Sequence, residues 1–159
     1  MSLKERIELI VLFILIQLNK IGIPVRVSKR GNFALVTKVE NDNVYFLFVQ
    51  EMLGFLNFSG GRPDKGESDQ DSVKREVKEE TDLDVESECP IIIKGEEIIF
   101  QGALNLSYSI YRCRIIGGEL NPNIQGGRFL SLLEIKQLRR QGKLLGNYIC
   151  DAIVLWGEK

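Results

Sequence analysis

Apolar positions fall into distinct periodicities along the chain, and each predicts a different element. Between residues 3 and 20, Leu3, Ile7, Ile10, Val11, Ile14, Leu15 and Leu18 recur at helical spacing, which predicts an α-helix, although the β-branched run also suits a buried strand. Asn19, Lys20, Gly22 and Pro24 end the element. Strands are then expected at residues 25–28, 33–39 and 44–50, with turns around Gly31 and Asn32 and at Glu40-Asn41-Asp42-Asn43, an antiparallel meander. Residues 54–66 read as a glycine-rich loop. Residues 68–81 lack Gly and Pro and set Val73 and Val77 four apart, as a one-sided amphipathic helix does. Ser68 is its natural N-cap, with Asp71 three residues on, close to a capping box. Strands resume at 91–93, 97–100 and 106–116. A loop over 117–127, containing Asn121-Pro122 and Gly126-Gly127, precedes helices over 131–141 and 148–156.

Strands and helices that do not alternate regularly, around one central acidic helix, predict an α+β fold with a mixed sheet. No G-x-G-x-x-G follows a strand, which disfavours a Rossmann arrangement. At 159 residues and 44% hydrophobic, the chain suits a single domain with a real core. Residues 1–24 are expected to be an apolar helical extension and 25–159 the domain proper. The eight-residue apolar run at 9–16 is too short to span a bilayer. Glu5 and Glu8 beside it, with no small-x-small cleavage site, argue against a signal peptide, so a cytoplasmic protein is expected. The extension is apolar nearly all round, more than one exposed helix needs, so a homodimer is the expected partner arrangement.

Charge changes the picture more than composition does. The net charge of -1 excludes the large basic excess of a dedicated nucleic-acid binder. Residues 62–88, however, hold eleven of the 22 acids against five of the 21 bases, so this stretch is net -6 and the remainder +5. There is no histidine, which removes imidazole bases, His-ligated metals and Ser-His-Asp catalysis. Cys89, Cys113 and Cys150 are odd in number and far apart, so neither a disulfide framework nor a zinc site is expected. Acid, base and metal chemistry falls to carboxylates. On the helix over 68–81, Glu76, Glu79 and Glu80 share one face at i, i+3 and i+4. With Val73 at zero and about 100° per residue, Glu76 and Glu80 lie near 300° and 340°, bordering the apolar stripe. Like charges that are partly desolvated call for a cation, and hard oxygen ligands select Mg²⁺ or Mn²⁺, which bridge carboxylates to phosphates.

Gly61, five residues, Glu67, seven residues, then Arg75-Glu76-Val77-Lys78-Glu79-Glu80-Thr81-Asp82-Leu83 resembles the Nudix box G-x5-E-x7-R-E-U-x-E-E-x-G-U, where U is aliphatic. Asp82 replaces the last glycine, at the expected C-terminus of the helix, where a left-handed conformation suits glycine and is tolerated by Asp. Arg128 to Glu134 is similar to the strand-to-helix turn that follows the last strand in that family. The resemblance implies an α/β/α sandwich with a mixed sheet. It implies Mg²⁺, with Mn²⁺ as substitute, held by Glu76, Glu79, Glu80 and the carbonyl of Gly60. Arg75 would orient a box glutamate and Glu67 would brace the loop against the helix. The implied reaction is hydrolysis of a nucleoside diphosphate linked to a group X, by in-line attack of water at phosphorus, with a nucleoside triphosphate or nucleotide sugar as substrate.

Gly61 and Arg62 are candidates to bind that substrate, Arg62 equally a plain surface residue. Many family members add a glutamate from the loop before the final helix, yet residues 121–128 contain no carboxylate and Glu119 is the nearest candidate. A noncatalytic nucleotide-binding or regulatory module is therefore the alternative reading. Phe48, Phe55, Phe58, Tyr108 and Tyr111 read as core rather than as a base-stacking platform. Lys136, Arg139, Arg140 and Lys143 read as a solvated helix face rather than an RNA-binding patch.

Overall fold

The computed structural model describes residues 3–23 and 25–157. Helix α1 covers Leu3–Lys20. It buries Leu12 and leaves Ile7, Ile10, Phe13 and Ile14 exposed. Pro24, expected to help end it, lies outside the described residues. A seven-stranded mixed sheet follows: β1 (Val27–Glu40), β2 (Asn43–Gln50), β3 (Leu56–Asn57), β4 (Ser59–Gly61), β5 (Leu83–Ile99), β6 (Leu104–Gly118) and β7 (Arg128–Ser131). The described residues also form helices α2 (Asp69–Thr81), α3 (Leu132–Arg140) and α4 (Tyr148–Gly157).

Strand β1 organises the sheet. It pairs in parallel with β6 from Val27↔Leu104 to Val36↔Cys113. Its centre also pairs antiparallel with β4, Phe33 against Gly60, and its end with β2, Thr37 against Phe46. This corrects the expected meander. There is no turn at Gly31 and Asn32, because Gly31 lies in the strand where a Cβ would stand 2.6 Å from the Phe33 ring, and Asn32 is fully buried with its amide donating to Ser72 Oγ at 3.2 Å. The expected strand 91–93 and residues 97–99 of the expected strand 97–100 are likewise parts of the single β5, while Phe100, at φ 51°, lies in the turn that follows. Gly95 within β5 is a packing glycine, since a Cβ there would meet the Tyr108 hydroxyl at 2.7 Å. The irregular stretch is absorbed as register shifts around Ile91 and Ile93. The glycine-rich segment 54–66 contains β3 and β4.

Alternation along β1 divides the core between two layers. Ala34 and Val36 face α2 and meet Val73 and Val77, with Leu47, Tyr111 and Cys113 completing that layer. Phe33 and Leu35 face the other way, where Phe46, Phe48 and Ile110 pack with Ile135 of α3 and Tyr148, Ile149 and Ala152 of α4. Burying Val73 and Val77 contributes about 1.5–3 kcal/mol each and fixes which face of α2 looks outward. The result is an α/β/α sandwich. Helix α4 is capped from a distance: Glu97 of β5 accepts from the Asn147 amide, its side chain and the Tyr148 amide at 2.9–3.0 Å. Among the described residues, no helix is long and apolar enough to cross a membrane.

Candidate active site

Helix α2 begins where the sequence expects. Ser68 is the N-cap, its side chain accepting from the Asp71 amide at 3.1 Å, and the helix ends on Asp82 in the left-handed region at φ 66°. Because Val73 and Val77 are pinned against the sheet, Arg75, Glu76 and Glu79 emerge along its border and Glu80 points inward. Arg75 is the hub. Its Nε and Nη2 donate to the two oxygens of Glu67 at 2.9 and 3.0 Å, a bidentate pair. Its Nη1 reaches Glu76 at 2.9 Å and Glu79 at 3.2 Å, and Nη2 also donates to the Arg62 carbonyl at 3.2 Å. Glu67 in turn accepts from the Asp64 amide at 2.9 Å, so the loop before α2 is tied to the helix through one carboxylate. The Arg75 guanidinium holds the Glu67 carboxyl below its usual range, and Glu67 and Glu76 hold Arg75 protonated.

Glu80 is different. It is 7% exposed and accepts from Ser59 Oγ at 2.7 Å and the Gly60 amide at 3.1 Å, which locks α2 to β4. Burial pushes its carboxyl up to about 8, against the pull of the Ser59 hydrogen bond, and the nearby Glu51 carboxylate adds to the rise. Glu76 is raised too, by burial first, with Arg75 opposing. The two glycines explain how the strand comes so close. A Cβ on Gly60, at φ 157°, would overlap the Asn32 carbonyl, and one on Gly61 would overlap the Glu76 carboxylate.

Beside this array lies a cavity of about 360 Å³, within the ~300–1,000 Å³ range of small-molecule sites. Gly60, Gly61 and Arg62 line it, as do Phe33, Phe100 and Glu51. Sequence reasoning missed Glu51 and Asn57, which reach the cavity through a turn and a two-residue strand that carry no periodic signal. The aromatic residues Phe48 and Phe58 are wholly buried, and Tyr108 and Tyr111 nearly so. Lys136, Arg139, Arg140 and Lys143 are exposed at α3 and just beyond it. Glu119 is exposed at the start of the loop after β6. That loop is stitched to the C-terminus of α2 by Asn121 N–H to Thr81 C=O at 2.9 Å, and to β2 by Gln50 N–H to Gln125 C=O at 2.8 Å. Cys113 and Cys150 are free thiols.

Among the described residues no three metal-ligating side chains already converge on one point, since Arg75 draws Glu76 and Glu79 to itself. The donor set nevertheless fits a hard divalent ion. It consists of carboxylate and carbonyl oxygens, and Glu76 and Glu80 are desolvated enough to resist ionisation, a condition that a cation relieves.

No family model and no curated protein matches the chain. Solved structures do. A NUDIX hydrolase from Nitrosomonas europaea superposes with a TM-score of 0.67 at 18% identity, over 83% of this chain and 90% of that one. The Ap4A hydrolase of C. elegans gives 0.62 at 12% identity, over 83% and 98%. The MutT protein from Methanosarcina mazei Go1 gives 0.61 at 16% identity, over 84% and 96%. The fold is that of the Nudix hydrolases. This chain has that fold and carries the box pattern from Gly61 to Leu83 on the loop and helix that form the site.

Proposed function

We propose that this chain is a Mg²⁺-dependent Nudix pyrophosphohydrolase, with Mn²⁺ as a substitute ion, cleaving a nucleoside diphosphate linked to a group X. The observation that carries the reading is the array of Glu67, Arg75, Glu76, Glu79 and Glu80 at the edge of a cavity walled by Gly60 and Gly61. Glu76, Glu79, Glu80 and the Gly60 carbonyl would hold the ion. When bound, it supplies charge stabilisation to the phosphate oxygens and lowers the pKa of attacking water. Arg75 keeps Glu76 and Glu79 oriented, and Glu67 fixes Arg75 in turn. Ser59 and the Gly60 amide hold Glu80 in one rotamer. Gly61 leaves room for Glu76, and Arg62, which lines the same cavity, would meet substrate phosphate. A nucleoside triphosphate is the first choice of substrate and a nucleotide sugar the second. Residues 25–159 form the hydrolase unit, acting in the cytoplasm, and the exposed apolar face of α1 supports a homodimer, which sedimentation of the intact chain tests.

The test is hydrolysis across nucleoside triphosphates, nucleotide sugars and dinucleotides, with Mg²⁺ and with chelator, beside Glu80→Gln. Metal-dependent turnover is expected, falling by about 10²-fold or more in the variant. The second reading, a noncatalytic nucleotide-binding module, is favoured by the carboxylate-free loop 121–128. Metal-dependent nucleotide binding without any turnover would establish it.

A further inference from the structure

The sheet face that walls the catalytic cavity continues beyond it. Side chains alternate along β1, so Phe33, Gly31, Lys29 and Val27 share one face, and the parallel register sets Lys29 beside Leu106 and Val27 beside Leu104. Phe33 stands opposite Gly60, at the end of the cavity beside the glutamate array. Six residues, about 20 Å of strand, separate it from Val27. Over that run the cavity wall changes from Gly60, Gly61 and Arg62 to Ile99, Phe100 and Leu104. At Lys29 and Leu104 the cavity adjoins a second hollow of about 190 Å³, whose other walls are Val27 and, from α1, Ile7, Val11, Leu12 and Leu15. At about 100° per residue these four fall on one side of α1, and Phe13 stands opposite. The helix is held in place by Asn19, whose Nδ2 donates to the Leu15 carbonyl at 2.9 Å and the Val25 carbonyl at 2.6 Å. Ile7, Val11 and Val27 nevertheless remain exposed.

The charged residues at the junction are already engaged: Lys29 has a partner, and Arg30 pairs with Asp69 at 2.6 Å. Apart from Lys29 the groove is apolar throughout. Because it adjoins the catalytic cavity along one sheet face, its occupant is the part of a substrate that extends past the diphosphate. A sugar or a further phosphate there would set hydroxyl groups or charge against Val27, Leu104 and the α1 side chains, with no partner for them. We propose that the group X is an extended aliphatic chain, received by this groove between α1 and the β1–β6 pair while the diphosphate lies at Gly60, Gly61 and Arg62. Each methylene that enters the groove leaves water, which adds binding free energy away from the reacting atoms. A nucleoside triphosphate uses the polar end alone, whereas an X that bears a chain uses both. This inference rests on the pyrophosphohydrolase reading above and names the chemistry of X within it.

The experiment uses ADP esters of straight-chain alcohols, from ethyl to decyl, below their micellar concentrations and with Mg²⁺. It measures kcat/KM for each ester, and calorimetric binding of the α,β-methylene analogues, which resist cleavage, for the wild type, Val11→Glu and Phe13→Glu. In the wild type both quantities are expected to rise by up to about fourfold per added methylene and to level off once the chain fills the groove. Val11→Glu flattens the rise, so that decyl and ethyl esters behave alike, while Phe13→Glu on the opposite side of α1 keeps the wild-type slope. Ile7→Glu, at a more exposed position on the same wall, gives the reading if Val11→Glu fails to fold. A flat series in the wild type, or a rise that neither wall variant reduces, overturns the groove assignment and leaves the hydrolase reading standing. A flat series with a dimer that Val11→Glu dissociates gives the groove to a second copy and overturns the assignment equally. Affinity that rises with chain length and depends on Val11, without turnover of any ester, keeps the groove and overturns the hydrolase reading. Neither binding nor turnover overturns both.

Discussion

At the scale of single residues, Glu80 sets the balance between stability and chemistry. Its carboxyl titrates near pH 8 in the folded chain, above its ordinary value of 4.5, because burial disfavours the charge. Between those values the folded state binds more protons than the unfolded one, so the stability Glu80 contributes is complete below about pH 4.5 and is lost as pH rises to about 8. Without divalent ion, the melting temperature is expected to fall between pH 5 and 8.5. Glu80→Gln should flatten that fall, each unit of upward shift being worth about 1.4 kcal/mol. Calorimetric melts across pH, with and without Mg²⁺, read this directly. A variant whose melting temperature tracks the wild type at every pH would place the titration elsewhere.

Elements show where local sequence was enough and where it was not. Helix α2 was legible to within a residue because everything that makes it is local: Ser68, the Val73 and Val77 stripe, and the left-handed end at Asp82. That end leads to a prediction. Asp82→Gly removes the steric cost of a non-glycine residue at φ 66° and forfeits only an exposed ion pair with Lys78, so a gain of about 1 kcal/mol, or roughly 2–4 °C in Tm, is expected. The N-terminus of α4 is the opposite case. Glu97, which satisfies its amides, lies some fifty residues earlier, beyond any capping pattern read from neighbouring positions. Glu97→Ala should cost about 1–2 kcal/mol, visible as a lower urea midpoint with unchanged slope. Glu51 and Asn57 escaped sequence reading for the same reason. The turn after β2 and the two-residue β3 that carry them to the cavity have no periodic signal, and their partners lie in distant elements.

For the whole molecule, the α+β class and the grouping of Glu67, Arg75, Glu76 and Glu79 at one end of α2 could be read from residues, whereas the sheet order could not. Gly31 looks like a turn in sequence, and only the ring of Phe33 lying over it reveals a strand interior. That strand, β1, takes its parallel partner from β6, so Val36 waits for Cys113. The order of synthesis gives this pairing a consequence in time. While the ribosome makes the residues between them, Phe33 to Val36 emerge with one edge unclaimed and both faces apolar, the condition in which nascent chains aggregate or recruit chaperones. A ribosome-bound chain halted with residues up to 103 exposed should be cut readily by protease near β1, and one exposing residues up to 118 should resist. The span from Val36 to Cys113 thus sets the interval of synthesis during which this strand depends on outside protection.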